Sequence, residues 1–110
     1  YRIMANTYKN AKVDLTTTNA TTVLTTPVGS TNIIKSMLVS EDSGNADTIT
    51  LTITDTDSAV FSLFKVKAVS ANTTVELLTQ PLVLQDSEIL KATAATANRL
   101  HLVVSYLEIS

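Results

Sequence analysis

His101 is the only histidine in this sequence, which has no cysteine, and an imidazole is the side chain best suited to acid–base catalysis near neutral pH. A catalytic histidine needs a nucleophile and an orienting acid beside it, and no sequence motif supplies either. His101 lies between Leu100 and Leu102 in an apolar segment typical of a strand. This placement favours a structural role, and we predict no catalytic residues and no enzymatic activity.

Acidic residues occur close together at two places, Glu41-Asp42 and Asp55-x-Asp57, and carboxylate oxygens are ligands that calcium prefers. The glycine and the downstream glutamate of an EF-hand loop are missing, so we favour turn capping by these aspartates and predict no metal site. Paired carboxylates also serve glycosidases. Sugar clefts are lined by aromatic rings, however, and this sequence has no tryptophan, three tyrosines and two phenylalanines.

Other short motifs give no further candidate. Gly29 and Gly44 are the only glycines, too few for a glycine-rich phosphate loop, and no Gly-x-Ser-x-Gly motif occurs. We therefore predict no cofactor. Asn19 and Asn72 fit the glycosylation sequon, but such matches arise by chance in a sequence with 19 threonines.

The charge distribution limits the partners. The net charge is −2, the pI is about 5.1, and the eight basic residues are scattered, with Lys65 and Lys67 the only close pair on one predicted strand. Duplex DNA and anionic membranes both favour a basic patch. We therefore predict neither nucleic acid nor a membrane as a partner, and no segment approaches the roughly 18 apolar residues of a membrane helix.

The elements that must position these residues are strands, because apolar and polar residues alternate with a period of two. Residues 48–54 are the clearest case, with Ile49, Leu51 and Ile53 on one face and threonines on the other. Asp42-Ser43-Gly44-Asn45 predicts a tight hairpin. Together with other turn signals, the alternation predicts about eight or nine strands, at 12–17, 21–25, 32–41, 48–54, 60–69, 75–78, 82–84, 89–94 and 100–109, with a bulge near Phe64. We predict one all-β domain, a jelly-roll-like antiparallel sandwich, over residues 11–110.

Residues 1–10 are predicted to form a flexible N-terminal arm, because residues 5–10 are polar and lack periodicity. The arm is either mobile or reaches a neighbouring subunit. We expect residues 1–3 to precede the natural start at Met4.

The third and last predicted strands are apolar on both faces, which a small solvated sandwich does not require. Either they are central strands covered on both faces, or their outer face is buried in an oligomer. We favour the oligomer, since 110 residues are too few to cover an outer face. The candidate interface residues are Ile33, Met37, Val39, Val103, Leu107 and Ile109.

The order of several motifs goes beyond composition. A turn with Pro27 and Gly29 precedes a strand with Lys35-Ser36, a Ser43-Gly44 turn and the threonine-rich strand. Later come Pro81-Leu82-Val83-Leu84, an acidic turn and Leu90-Lys91-Ala92. From about Thr21 onward, this order resembles a family of small virion structural proteins of tailed bacteriophages. The family turn before the Leu-Lys-Ala segment has a glycine where Ser87 stands here.

This resemblance implies a β-sandwich module located in the virion, as a capsid decoration, neck or tail component. It implies that the protein is a homo-oligomer, expected to be a trimer, that contacts other virion proteins. The alternative is a carbohydrate- or receptor-binding sandwich at a tail tip or cell surface, whose loops would bind the ligand. The shortage of aromatic residues disfavours this alternative.

Overall fold

The computed structural model describes residues 5–110, and the expectation for residues 1–3 lies outside this range. The described part contains nine strands and no helix, as the period-two alternation predicts. In chain order they are β1 (Asn6–Asp14), β2 (Thr21–Thr25), β3 (Thr31–Glu41), β4 (Asp47–Thr54), β5 (Val60–Val69), β6 (Thr74–Glu76), β7 (Leu82–Leu84), β8 (Ile89–Ala94) and β9 (Leu100–Ile109).

The strands form two antiparallel sheets packed face to face, which confirms the predicted sandwich. One sheet has the order β1-β9-β3, with β6 and β7 both paired to the far edge of β3. The other has the order β2-β8-β4-β5. This arrangement is that of a jelly roll, in which the last strand of the first sheet is divided into β6 and β7.

The core lies between the two sheets and is built from the alternating apolar residues of each strand. Ile49 and Leu51 of β4 are fully buried, while the threonines of the same strand point to the outer face of their sheet. Across the core, Leu102 and Val104 of β9 are also fully buried. The alternation in the sequence therefore assigns the inner face of these strands correctly.

The turn after β3 does not form the predicted hairpin, because β3 and β4 belong to different sheets. Instead, residues 42–46 cross from one sheet to the other. The Glu41 side chain lies beneath this crossing and is only 1% exposed. Its carboxylate accepts hydrogen bonds from the amides of Ser43, Gly44 and Asn45. These bonds hold the crossing in place.

The predicted arm is corrected by the structure over residues 6–10, which form the first half of β1. Asn6 is paired with Ile109, and Tyr8 is paired with Leu107. Strand pairing uses backbone groups, so a polar segment without alternation can still join a sheet when its neighbour is a long strand. The boundary predicted at residue 11 is therefore too late.

β3 contains a bulge that reverses the phase of its side chains. Its pairing with β9 shifts register between Ile34 and Ser36, which leaves Lys35 as the extra residue. After the bulge, Met37 and Val39 point into the core and are fully buried. Their assignment to the oligomer interface is therefore wrong, because that assignment continued the alternation unchanged through Lys35.

The bulge predicted near Phe64 is confirmed, since the pairing of β5 with β4 shifts register on both sides of Leu51. Close to the shift, Val66 has a φ of 54°, in the left-handed region that β-branched residues rarely adopt. The Val66 amide donates a hydrogen bond of 3.0 Å to Oγ1 of Thr50 on β4.

Candidate assembly surface

The outer face of the five-stranded sheet has a continuous row of apolar side chains across four strands. We call these four residues the apolar row. Tyr8 of β1 is paired with Leu107 of β9, Leu107 with Ile33 of β3, and Ile33 with Val83 of β7. Because directly paired residues share a face, the four side chains lie side by side. Tyr8 is 76% exposed and Val83 is 50% exposed, so the row is open to solvent at both ends.

Further apolar residues extend this surface on both sides of the row. Ile109 lies on the same face between Asn6 and Thr31. Nearer the other end of the sheet, Val103 is paired with Leu38, which is 39% exposed.

Charged residues bound the Val103–Leu38 pair. Lys12 of β1 lies beyond Val103, and Glu76 of β6 lies beyond Leu38. Ser105 of β9 and Ser36 of β3 separate this pair from the apolar row. The face therefore carries the apolar row and, beyond a polar band, a smaller apolar pair with charge on both sides.

Four of the six predicted interface residues lie on this face: Ile33, Val103, Leu107 and Ile109. Sequence reasoning missed Tyr8, Leu38 and Val83. Tyr8 was assigned to the arm, and Leu38 was displaced by the bulge. Val83 could have been found, since it alternates with the more buried Leu82 and Leu84.

Glu76 holds the bulged part of β3. Its carboxylate accepts hydrogen bonds from the Ser36 hydroxyl, from the Met37 amide at 2.7 Å and from the Leu78 amide at 3.3 Å. Burial alone would raise the pKa of Glu76, but these hydrogen bonds outweigh it and lower the pKa below its usual value. An ionised Glu76 thus fixes the bulge that turns Leu38 outward.

His101 lies at one end of the same face, between two carboxylates. Its Nε2 is 3.3 Å from Oδ1 of Asp14, and its Nδ1 is 3.3 Å from Oδ2 of Asp42. Ser40 is paired with His101, but its hydroxyl lies 3.0 Å from Oγ1 of Thr74 and is hydrogen-bonded there. Both imidazole nitrogens therefore face acids rather than a nucleophile. The sequence does not reveal these partners. Asp14 lies beside His101 because of the register between β1 and β9, and Asp42 lies there because of the crossing after β3.

Asp55 and Glu41 stabilise turns. Oδ1 of Asp55 accepts hydrogen bonds of 2.9 Å from the amides of Asp57 and Ala59, which confirms the predicted turn capping. Besides its bonds to the crossing after β3, Glu41 accepts the Asn72 amide at 3.1 Å and the Ser43 hydroxyl. Burial raises the pKa of Glu41, but these hydrogen bonds outweigh it and lower the pKa to about 2.

Within residues 5–110, no three acidic or histidine side chains converge as ligands for a metal ion. The same range has no helix that is long and apolar enough to cross a membrane. The sequence matches no protein-family model, and it matches none of the curated proteins with which it was compared.

Proposed function

We propose that this protein is a non-enzymatic structural subunit that associates with copies of itself through the outer face of the five-stranded sheet. The observation that supports this most is the apolar row, Tyr8–Leu107–Ile33–Val83, which crosses four neighbouring strands without a polar residue. Single exposed apolar residues are common on protein surfaces, but a contiguous set of apolar side chains is typical of an interaction site.

The rest of the molecule suits an assembly role. Threonines line the outer face of the other sheet at positions 48, 50 and 52 of β4, where they are half-buried. The two outer faces therefore differ in polarity, although they belong to the same small sandwich. A single apolar face gives the subunit one preferred orientation toward its neighbours.

The resemblance to virion structural proteins of tailed bacteriophages supplies the biological setting of the proposal. In that setting the protein is a capsid decoration, neck or tail module, located in the virion and surrounded by other virion proteins. A trimer is the expected assembly. Such a role requires many stable copies and contact surfaces, which agrees with a working surface made of apolar residues rather than catalytic groups.

The proposal is tested by sedimentation equilibrium of the wild type and of Leu107→Lys over a wide concentration range. Leu107 is half-buried at the centre of the apolar row, so a lysine there would place a charge inside the interface. We expect the wild type to be oligomeric and Leu107→Lys to be folded and of clearly lower mass, because the association through this sheet face is lost. The control is Thr52→Lys, which adds the same charge to the outer face of the other sheet and should leave the mass unchanged. A wild type that stays monomeric at the highest concentration would contradict the proposal.

A further inference from the structure

β5 is a long edge strand whose outer edge is paired with no other strand in residues 5–110. Exposed strand edges are templates for pairing with another chain, and proteins usually shorten or charge them. The other edges follow this rule. β1 contains Lys9 and Lys12, β2 has five residues, and β6 and β7 have three each.

Only the second half of β5 is protected. There the register shifts, Val66 adopts a left-handed conformation, and Lys65 and Lys67 add charge. Residues 60–62 contain no charge, proline or register shift, and they expose Val60 to 61% and Phe61 to 57%. The first half of this edge therefore presents an open, apolar pairing surface.

The charges around this surface are self-complementary. Asp57 lies four residues before Phe61 and Lys65 lies four residues after it. Asp55 and Lys67 lie six residues before and after Phe61 in the same way. In an antiparallel pairing centred on Phe61, the acidic turn of each copy lies beside the two lysines of the other copy. An edge with this symmetry fits a two-fold contact between identical chains.

We propose that residues 60–62 of β5 pair antiparallel with the same residues of a second copy, about a two-fold axis at Phe61. The pairing joins two four-stranded sheets into one eight-stranded sheet and covers Val60 and Phe61. It goes beyond the proposed function, because this edge does not belong to the five-stranded sheet. A subunit could therefore use both contacts at once, which would link oligomers into a larger assembly.

The test uses charge reversal in the Leu107→Lys background, in which the other proposed contact is removed. Lys65→Glu places a glutamate opposite Asp57 of the other copy, and Asp57→Lys places a lysine opposite Lys65 of the other copy. Sedimentation velocity measures the self-association of the background protein, of each charge variant alone and of a 1:1 mixture of the two variants. Lys91→Glu on β8 is the matched control, because it reverses one charge two strands away from the outer edge of β5.

We expect the background protein to dimerise, and we expect each charge variant alone to dimerise roughly tenfold more weakly because like charges then face each other. The mixture should recover at least the background affinity and lose it at high salt. Lys91→Glu should behave like the background. A background protein that is monomeric at every concentration, or a mixture no tighter than its components, would overturn the β5 pairing. If instead Leu107→Lys has the same mass as the wild type, the sheet-face contact fails while the β5 contact is still measured.

Discussion

Replacing Met37 or its neighbour Leu38 by alanine tests the bulge that determines which residues of β3 face outward. Met37 is fully buried in the core, whereas Leu38 is 39% exposed on the outer face. Truncating a buried methionine removes its transfer free energy and leaves a cavity, at a cost of about 2–5 kcal/mol. Truncating a surface residue outside such a site costs at most about 0.5–1 kcal/mol.

The measurement is thermal and urea unfolding at a protein concentration low enough to keep the chain monomeric. For a domain of this size a loss of 1 kcal/mol lowers Tm by roughly 4 °C. We therefore expect Met37→Ala to lower Tm by roughly 8–20 °C and Leu38→Ala by less than about 4 °C. The urea midpoint should fall in the same proportion, with the slope of unfolding unchanged.

Equal losses for the two variants, or a larger loss for Leu38→Ala, would refute the assignment of the bulge to Lys35. Met37 and Val39 would then lie on the outer face, as the sequence predicts. Concentration adds a second readout, because an interface stabilises the folded state by mass action. The effect of Leu38→Ala should increase with protein concentration, whereas that of Met37→Ala should be present at every concentration.

Two further predictions concern stability within the subunit. The folded-state pKa of Glu41, about 2, lies below the ordinary value of 4.5, so its contribution is present above pH 4.5 and is lost as the pH falls toward 2. Glu41→Gln should lower Tm at pH 7 and reduce the fall in Tm between pH 4.5 and pH 2. If the variant loses as much Tm over this range as the wild type, other groups cause the acid sensitivity. Val66→Gly should raise stability by about 0.5–1 kcal/mol, because glycine relieves the left-handed conformation at some entropic cost. Val60→Gly, at a similarly exposed position in regular strand, should lower stability. If both substitutions raise stability, or both lower it, Val66 is not strained.

The sequence predicts the fold well where side chains face two different environments. The threonine and isoleucine positions of β4 alternate without interruption, and the structure buries Ile49 and Leu51 as that alternation requires. The strand boundaries of β2, β5, β7, β8 and β9 agree with the sequence for the same reason. In each case one face must leave water, and turn residues stop the strand.

The remaining features depend on distant partners that alternation does not encode. β1 begins at Asn6 because β9 continues to Ile109 and offers backbone partners, although the side chains of β1 are polar. The bulge at Lys35 is held by Glu76, about 40 residues further along the chain. The neighbours of His101 are likewise assembled by register. Four of the six residues predicted for the interface therefore lie on the outer face, while Met37 and Val39 lie in the core because the bulge shifts the alternation.

We propose that the outer face of the five-stranded sheet is covered by neighbouring copies of the chain. Because the sequence has no cysteine, one introduced cysteine can carry a spin label at a chosen site. Val83→Cys places the label in the apolar row. Thr22→Cys places it on the outer face of the other sheet, on the strand farthest from β5. Pulsed electron paramagnetic resonance on each labelled protein then measures distances between copies. We predict a short, narrow intermolecular distance for Val83→Cys and a longer one for Thr22→Cys. No intermolecular distance at Val83, or a shorter one at Thr22, would contradict the claim.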